Sequence, residues 1–137
     1  MTAPLNNNMQ NGQQGTLLTD FIQTVQLNQN LDSSLVKFAD INQKDTFEHT
    51  ALYWSIFHHN QYNLKLLLKH NASCSFEPTG DALLYAIECN NIEALKELML
   101  YDEKKSGMSK LYLLLEYAKK LNRNDIINYL DQPQVAC

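Results

Sequence analysis

Residues Thr50 to Ala72 read TALYWSIFHHNQYNLKLLLKHNA, and this stretch decides the architecture. It predicts two short helices back to back, over 50–58 and 62–70, parted by the polar break His59-Asn60-Gln61 and ended by Asn71. Neither helix can bury its apolar stripe alone. The rest of the chain must supply further copies of the unit to stack against it.

Working outward, the unit returns at Asp81 as DALLYAIECNNIEALKELMLYD, broken at Asn90-Asn91. Leu83, Ala86 and Ile87 in its first helix, and Ile92, Leu95, Leu98 and Met99 in its second, follow the spacing of a helix face turned to a core. A last pair is expected over Ser109–Leu121 and Asp125–Leu130, broken at Asn122-Arg123-Asn124 and stopped by Pro133. Before the central unit, Leu17, Leu18, Phe21, Ile22 and Val25 recur at helical spacing, and a short helix is expected from about Leu31 to Phe38, begun by Asp32 or its neighbours. Residues 39–45 read as a turn-rich connection, 73–80 as a loop with Pro78 and Gly80 as breakers, and the polar run 101–107 as a loop ending in Gly107. Residues 1–15, rich in Asn, Gln and Gly, read as a disordered polar tail, and 133–137 as a C-terminal tail. No stretch alternates convincingly enough for a strand, so the expected class is all-α.

The 137 residues allow one domain with a sizeable core. The formal net charge of -4 disfavours nucleic acid, which calls for a basic face, and suits basic or mixed-charge partners. No run approaches the roughly 20 apolar residues of a membrane span, and the first 15 residues lack the charge and apolar core of a signal peptide. Three cysteines without a CxxC spacing point to a reducing compartment, so a cytoplasmic location is expected.

Aligned without gaps, Trp54 stands opposite Tyr85 and Tyr117, at spacings of 31 and 32 residues, and Leu17–Phe38 fits one period earlier with Phe21 opposite Trp54. Asp45 to Ser75, DTFEHTALYWSIFHHNQYNLKLLLKHNASCS, sets Thr50-Ala51-Leu52-Tyr53 where an ankyrin repeat has TPLH. Leu64, Leu66-Leu67-Leu68 and Asn71-Ala72 fall on its V, LLL and GA, and Ala39-Asp40-Ile41-Asn42 with Asp45 is similar to ADVNxxD. The chain from about Leu17 to Asp131 therefore resembles an ankyrin domain of four degenerate repeats, near 16–44, 45–75, 76–107 and 108–132. Asn71, Asn90 and Asn122 take the places of the family's left-handed glycines, Asn being the next-best residue there. His59-Asn60 takes the same place in the second repeat, with room for a one-residue shift. The Pro and His of TPLH are missing, and 101–107 lacks the pattern of a hairpin finger.

The resemblance implies a protein-binding module without chemistry of its own, expected to be a monomer that holds one partner in a concave groove. Narrower versions are an inhibitor of a specific enzyme, or an effector of an intracellular bacterium acting in a host cytosol. A rival of another class is a small helical enzyme using Cys89 with a histidine such as His58. No GxSxG, HExxH or Gly-rich phosphate loop supports it. The spacing of His49, His58, His59, His70, Cys74 and Cys89 does not match a closed zinc site, so no metal and no cofactor are expected. In the ankyrin pattern the column Phe21, Trp54, Tyr85 and Tyr117 faces the groove. Helical spacing adds Phe57 and His58 to Trp54, Glu88 and Cys89 to Tyr85, and Lys120 to Tyr117. Thr46, Phe47 and His49 extend the face onto the preceding hairpin. These are the candidate partner-binding residues, Trp54 and Phe57 foremost, since Trp and Tyr anchor interfaces. The competing reading is that the column packs only on itself, filling space between first helices.

Overall fold

A computed structural model of the chain describes residues 21–76, 80–106 and 111–132, with 102–106 described by backbone alone. The tails expected at 1–15 and 133–137, and Leu17 and Leu18, lie outside the described residues. Eight helices occur among them: α1 (21–26), α2 (Ser33–Val36), α3 (Ala51–Phe57), α4 (Gln61–Lys69), α5 (Ala82–Glu88), α6 (Ile92–Ser106), α7 (Leu111–Lys120) and α8 (Asn124–Asp131). Among the described residues extended pairing is limited to one isolated antiparallel bridge, Ser75 to Asp81. No helix there is long and apolar enough to cross a membrane.

Local chemistry explains where the helices start. The side chains of Asp32, Thr50, Asn60 and Asp81 each accept a backbone N–H of the first turn, from Ser34, Tyr53, Asn63 and Leu84. Each such cap satisfies an N–H that has no partner within the helix. Thr50 thus caps its helix although the Pro and His of TPLH are absent.

The first helices end alike. Asn28, His59, Asn90 and Asn122 take φ of 59°, 57°, 55° and 58°, and each donates its N–H three residues back, to Val25, Ile56, Ile87 and Lys119. The next N–H bonds five residues back in every case: Gln29 to Thr24, Asn60 to Ser55, Asn91 to Ala86 and Arg123 to Ala118. This shared turn fixes the register, and His59 falls into it with no shift. Counting back from the turn, Gln23 aligns with Trp54, Tyr85 and Tyr117, whereas Phe21 aligns with Leu52. Phe21 accordingly sits in the core and not in the aromatic column.

The polar run 101–107 is a second correction. α6 continues through it to Ser106. Ile92 to Ser106 contains neither Gly nor Pro, and its Ala, Leu, Met, Glu and Lys are good helix formers, so nothing stops the helix before Gly107.

α3 packs on α4, α5 on α6 and α7 on α8, while α3, α5 and α7 stack as one row and α4 and α6 stack in the other. The core runs between the rows. Leu52, Ile56, Leu64, Leu67, Ile87, Leu95, Leu98 and Ile126 are fully buried in it, while Ile92 and Met99 pack half-buried against it.

Successive units are also tied by polar side chains. Carbonyls near a helix C-terminus have no partner within the helix. Here the next unit supplies one. Asn63 donates to Gln29 O, Asn91 to Ile56 O, and Arg123 to Ile87 O and Glu88 O, while His58 Nε2 lies 2.8 Å from Gln26 O. Asn63 and Asn91 are buried, so these bonds also satisfy their own amides.

Candidate aromatic face and cleft

The segment 45–49 is organised by one carboxylate. Asp45 Oδ1 accepts the N–H groups of Phe47 and His49, and the Asp45 N–H donates to His49 O. Glu48 takes a φ of 67° at the point where the chain turns. Asp45 Oδ2 accepts Gln26 Nε2 at 2.8 Å and the indole Nε1 of Trp54 at 2.7 Å. Partial burial pushes the Asp45 carboxyl up, but the bonds from His49, Gln26, Trp54 and Phe47 outweigh it and hold the group below the usual carboxylate range.

Trp54 is therefore a half-buried ring pinned at its nitrogen. Phe57 and Phe47 stand edge-on to it, with centroids at 5.6 Å and 6.5 Å, and His58 stacks on it at 5.9 Å. Phe47 and Phe57 are themselves 64% and 49% exposed. Thr46, beside Phe47, is exposed.

A second aromatic group adjoins the first. The rings of His49 and Tyr53 stack at 3.6 Å, and Tyr53 stacks on Tyr85 of the next unit at 4.2 Å. Phe76 meets Tyr53 and Tyr85 edge-on. His49 joins the two groups, because its ring also lies 5.6 Å from Trp54. Its Nδ1 is buried and finds no hydrogen-bond partner among the described residues.

The stack ends at Tyr85, and Tyr117 makes no ring contact with it among the described residues. A cleft of about 370 Å³ opens here, lined by Tyr53, Phe76, Tyr85 and Tyr117 together with the carboxylates of Asp81 and Glu88. Burial, then hydrogen bonding with Tyr53 and Cys89, pushes the Tyr85 phenol far above its ordinary range. Burial, and then the charge and hydrogen bond of Glu88, raises Tyr117. Burial likewise raises the Cys89 thiol, with Glu88 adding to the effect and Tyr85 and Arg123 opposing it.

Of the residues singled out from sequence, Phe47, His49, Trp54, Phe57 and His58 come together in one cluster. Tyr85, Glu88 and Tyr117 meet at the cleft, and Cys89 lies against Tyr85. Lys120 is exposed on α7 and does not line the cleft. Sequence reading missed Tyr53, Phe76 and Asp45 as parts of this face. Tyr53 stood at the His of TPLH and Asp45 at the Asp of ADVNxxD, and those matches were the available signals. Cys74 and Cys89 form no disulfide, and no group of three His, Cys, Asp or Glu side chains that could hold a metal ion occurs among the described residues.

Stacked helix pairs of fixed period, joined by left-handed turns, define a helical repeat protein. The family model described as "Ankyrin repeats (3 copies)" matches residues 20–110, and the chain belongs to the ankyrin-repeat family. The pair α7/α8 lies beyond the matched span and continues the same stack as a fourth unit. Comparison with curated proteins and with solved structures gives no match.

Proposed function

We propose that this chain is a non-catalytic module that binds a partner protein through its first-helix face, the groove side of the repeat array. The observation that carries the reading is the Phe47–Trp54–Phe57 cluster. Two large apolar rings stand open to water around an indole whose position is fixed by Asp45. Rigid aromatic anchors lose little entropy on binding and carry most of the energy of an interface. Ankyrin repeats generally mediate protein–protein contacts, which agrees with this use. The raised Cys89 thiol supports a non-catalytic role, since nucleophilic cysteines are found where the thiolate is favoured.

The test is a capture experiment with the chain and with a Phe47→Ala/Phe57→Ala double variant as bait, both checked by circular dichroism. A partner retained by the first and lost by the second is the expected result. Partners retained equally by both would move the binding surface away from this face.

A further inference from the structure

We propose that Gln26 of the first repeat is the positioning residue of the aromatic face, fixing Trp54 through Asp45 and His58. The functional use of this arrangement rests on the reading above, to which it adds what sets the anchor in place.

The contacts close a circuit around one ring. Gln26 is half-buried at the last residue of α1. Its side-chain amide donates to Asp45 Oδ2 at 2.8 Å, the same oxygen that accepts the Trp54 indole N–H at 2.7 Å. The N–H groups of Phe47 and His49 hold Oδ1, and Gln26 holds Oδ2 from a different repeat. The backbone carbonyl of Gln26 lies 2.8 Å from His58 Nε2, and a carbonyl only accepts, so Nε2 carries the hydrogen. The His58 ring, tethered in this way, stacks on the Trp54 ring at 5.9 Å. One residue thus orients both the carboxylate on the indole nitrogen and the imidazole against the indole ring. A ring already immobile has less freedom to lose when a partner lands on it.

Stacking between units is served by ties that recur, Asn63 to Gln29 O and Asn91 to Ile56 O. The circuit at Gln26 does not recur. Counted from the shared turn, Phe57 and Cys89 take the places of Gln26 and His58 at the next boundary. Phe76 takes the place of Asp45, its N–H donating to Gly80 O as that of Asp45 donates to His49 O. A phenylalanine side chain neither donates nor accepts, so the same hydrogen bonds cannot form there. Tyr85, at the place of Trp54, is met instead by the rings of Tyr53 at 4.2 Å and Phe76 at 6.1 Å. The polar set is therefore specific to the one ring that stands between the exposed Phe47 and Phe57. That restriction is what positioning of an anchor calls for and what general packing of repeats does not.

The experiment is NMR relaxation on the isotope-labelled full chain, in which Trp54 gives the only indole N–H signal. The parent is compared with Gln26→Leu, Gln26→Glu and Asp32→Ala. Leu and Glu keep the bulk of the side chain at position 26, but neither donates to Asp45, and an ionised Glu also repels it. Asp32→Ala removes the cap of α2 and so weakens the first repeat without touching the circuit. The expected result is a fall of the indole order parameter in both Gln26 variants, from the rigid range near about 0.85 toward the flexible range below about 0.6. The fall should be larger for Gln26→Glu, and Asp32→Ala should match the parent. Gln26→Glu, the same size as the native residue, carries the test should Gln26→Leu not fold. An unchanged order parameter in the folded Gln26 variants, or an equal fall in Asp32→Ala, would overturn the proposal and leave Gln26 a packing residue. The capture experiment with Phe47→Ala/Phe57→Ala reads the binding face separately. Its failure would remove the use made of Trp54, while a loosened indole in the Gln26 variants would still establish what positions the ring.

Discussion

Both helix rows of this molecule bury aliphatic side chains, Leu52, Ile56 and Ile87 of the first helices among them, but they differ in where their aromatic rings lie. In the second-helix row, Leu64, Leu67 and Leu68 of α4 and Leu95 and Leu98 of α6 are buried in the core. In the first-helix row, Trp54, Tyr85 and Tyr117 stay half-exposed, and each has a polar partner: Asp45 for Trp54, Tyr53 and Cys89 for Tyr85, Glu88 for Tyr117. Tyr53 and Tyr85 stack across the repeat boundary, as a column packed on itself would, whereas Phe47 and Phe57 stay exposed beside Trp54, as the proposed binding face requires. The aliphatic row closes the array, while the aromatic row keeps an ordered surface available.

The comparison is broken most directly in the aliphatic row. Leu67→Ala and Leu95→Ala remove fully buried side chains and should each destabilise by about 2–5 kcal/mol in denaturant melts. Neighbouring repeats fold with strong coupling, so either change is expected to lower the stability of the whole array. A loss below about 0.5 kcal/mol, the usual size of a surface effect, would place the residue outside the core and undo the register.

Asn91→Ala tests the polar tie between the rows. It removes the cap on Ala94 N–H and the bond to Ile56 O, and leaves a buried carbonyl short of one partner. A loss of about 1–3 kcal/mol is expected. A neutral outcome would mean that packing alone holds the second and third repeats together.

Asp45→Asn addresses the aromatic row. An amide nitrogen in place of Oδ2 can accept from neither Trp54 nor Gln26, and a loss of about 1–2 kcal/mol is expected. The only tryptophan of the chain gives a second readout, since its emission should shift once the indole is released. The pH dependence has a definite sign. The folded-state pKa of Asp45 is depressed, so its contribution is present above the unfolded value near 3.9 and is lost as pH falls through the folded value. The parent should therefore lose stability more steeply than Asp45→Asn in that acidic window. Parallel melting curves for the two proteins would show that Asp45 does not carry the effect.

The smallest expected effect on stability is that of Phe57→Ala, about 0.5–1 kcal/mol, because the ring is half-exposed and makes only edge contacts with Trp54 and His58. Its effect on partner binding should be the reverse, a loss of about 2 kcal/mol or more if it is an anchor. Trp54→Ala separates the two properties less well, since it also deprives Asp45 of a hydrogen bond.

Much of the fold was legible because its signals are local. Thr50, Asp81 and the asparagines at 71, 90 and 122 each act within a few residues of themselves, as caps or as left-handed turns. The first repeat was harder. An aromatic at 21 invited alignment with Trp54, yet the turn at Asn28 places Gln23 there, and residue type proved a weaker guide than turn position. The continuation of α6 past Tyr101 was missed because polarity suggests a loop, while helix formation depends on backbone propensity and needs a breaker to end it.

By itself, then, the sequence determined the helix pairs, their period near 31 residues and the buried leucines, since each follows from spacing along one chain segment. Tertiary structure alone decided that Asp45 aims Trp54, that Tyr53 stacks on Tyr85 across a repeat boundary, and that a gap is left beside Tyr117 with Asp81 and Glu88 at its walls. The physical reason is reach. Caps and stripes are set by neighbours along the chain, whereas which ring meets which carboxylate depends on side chains that only the stacking of successive repeats brings within a few ångströms.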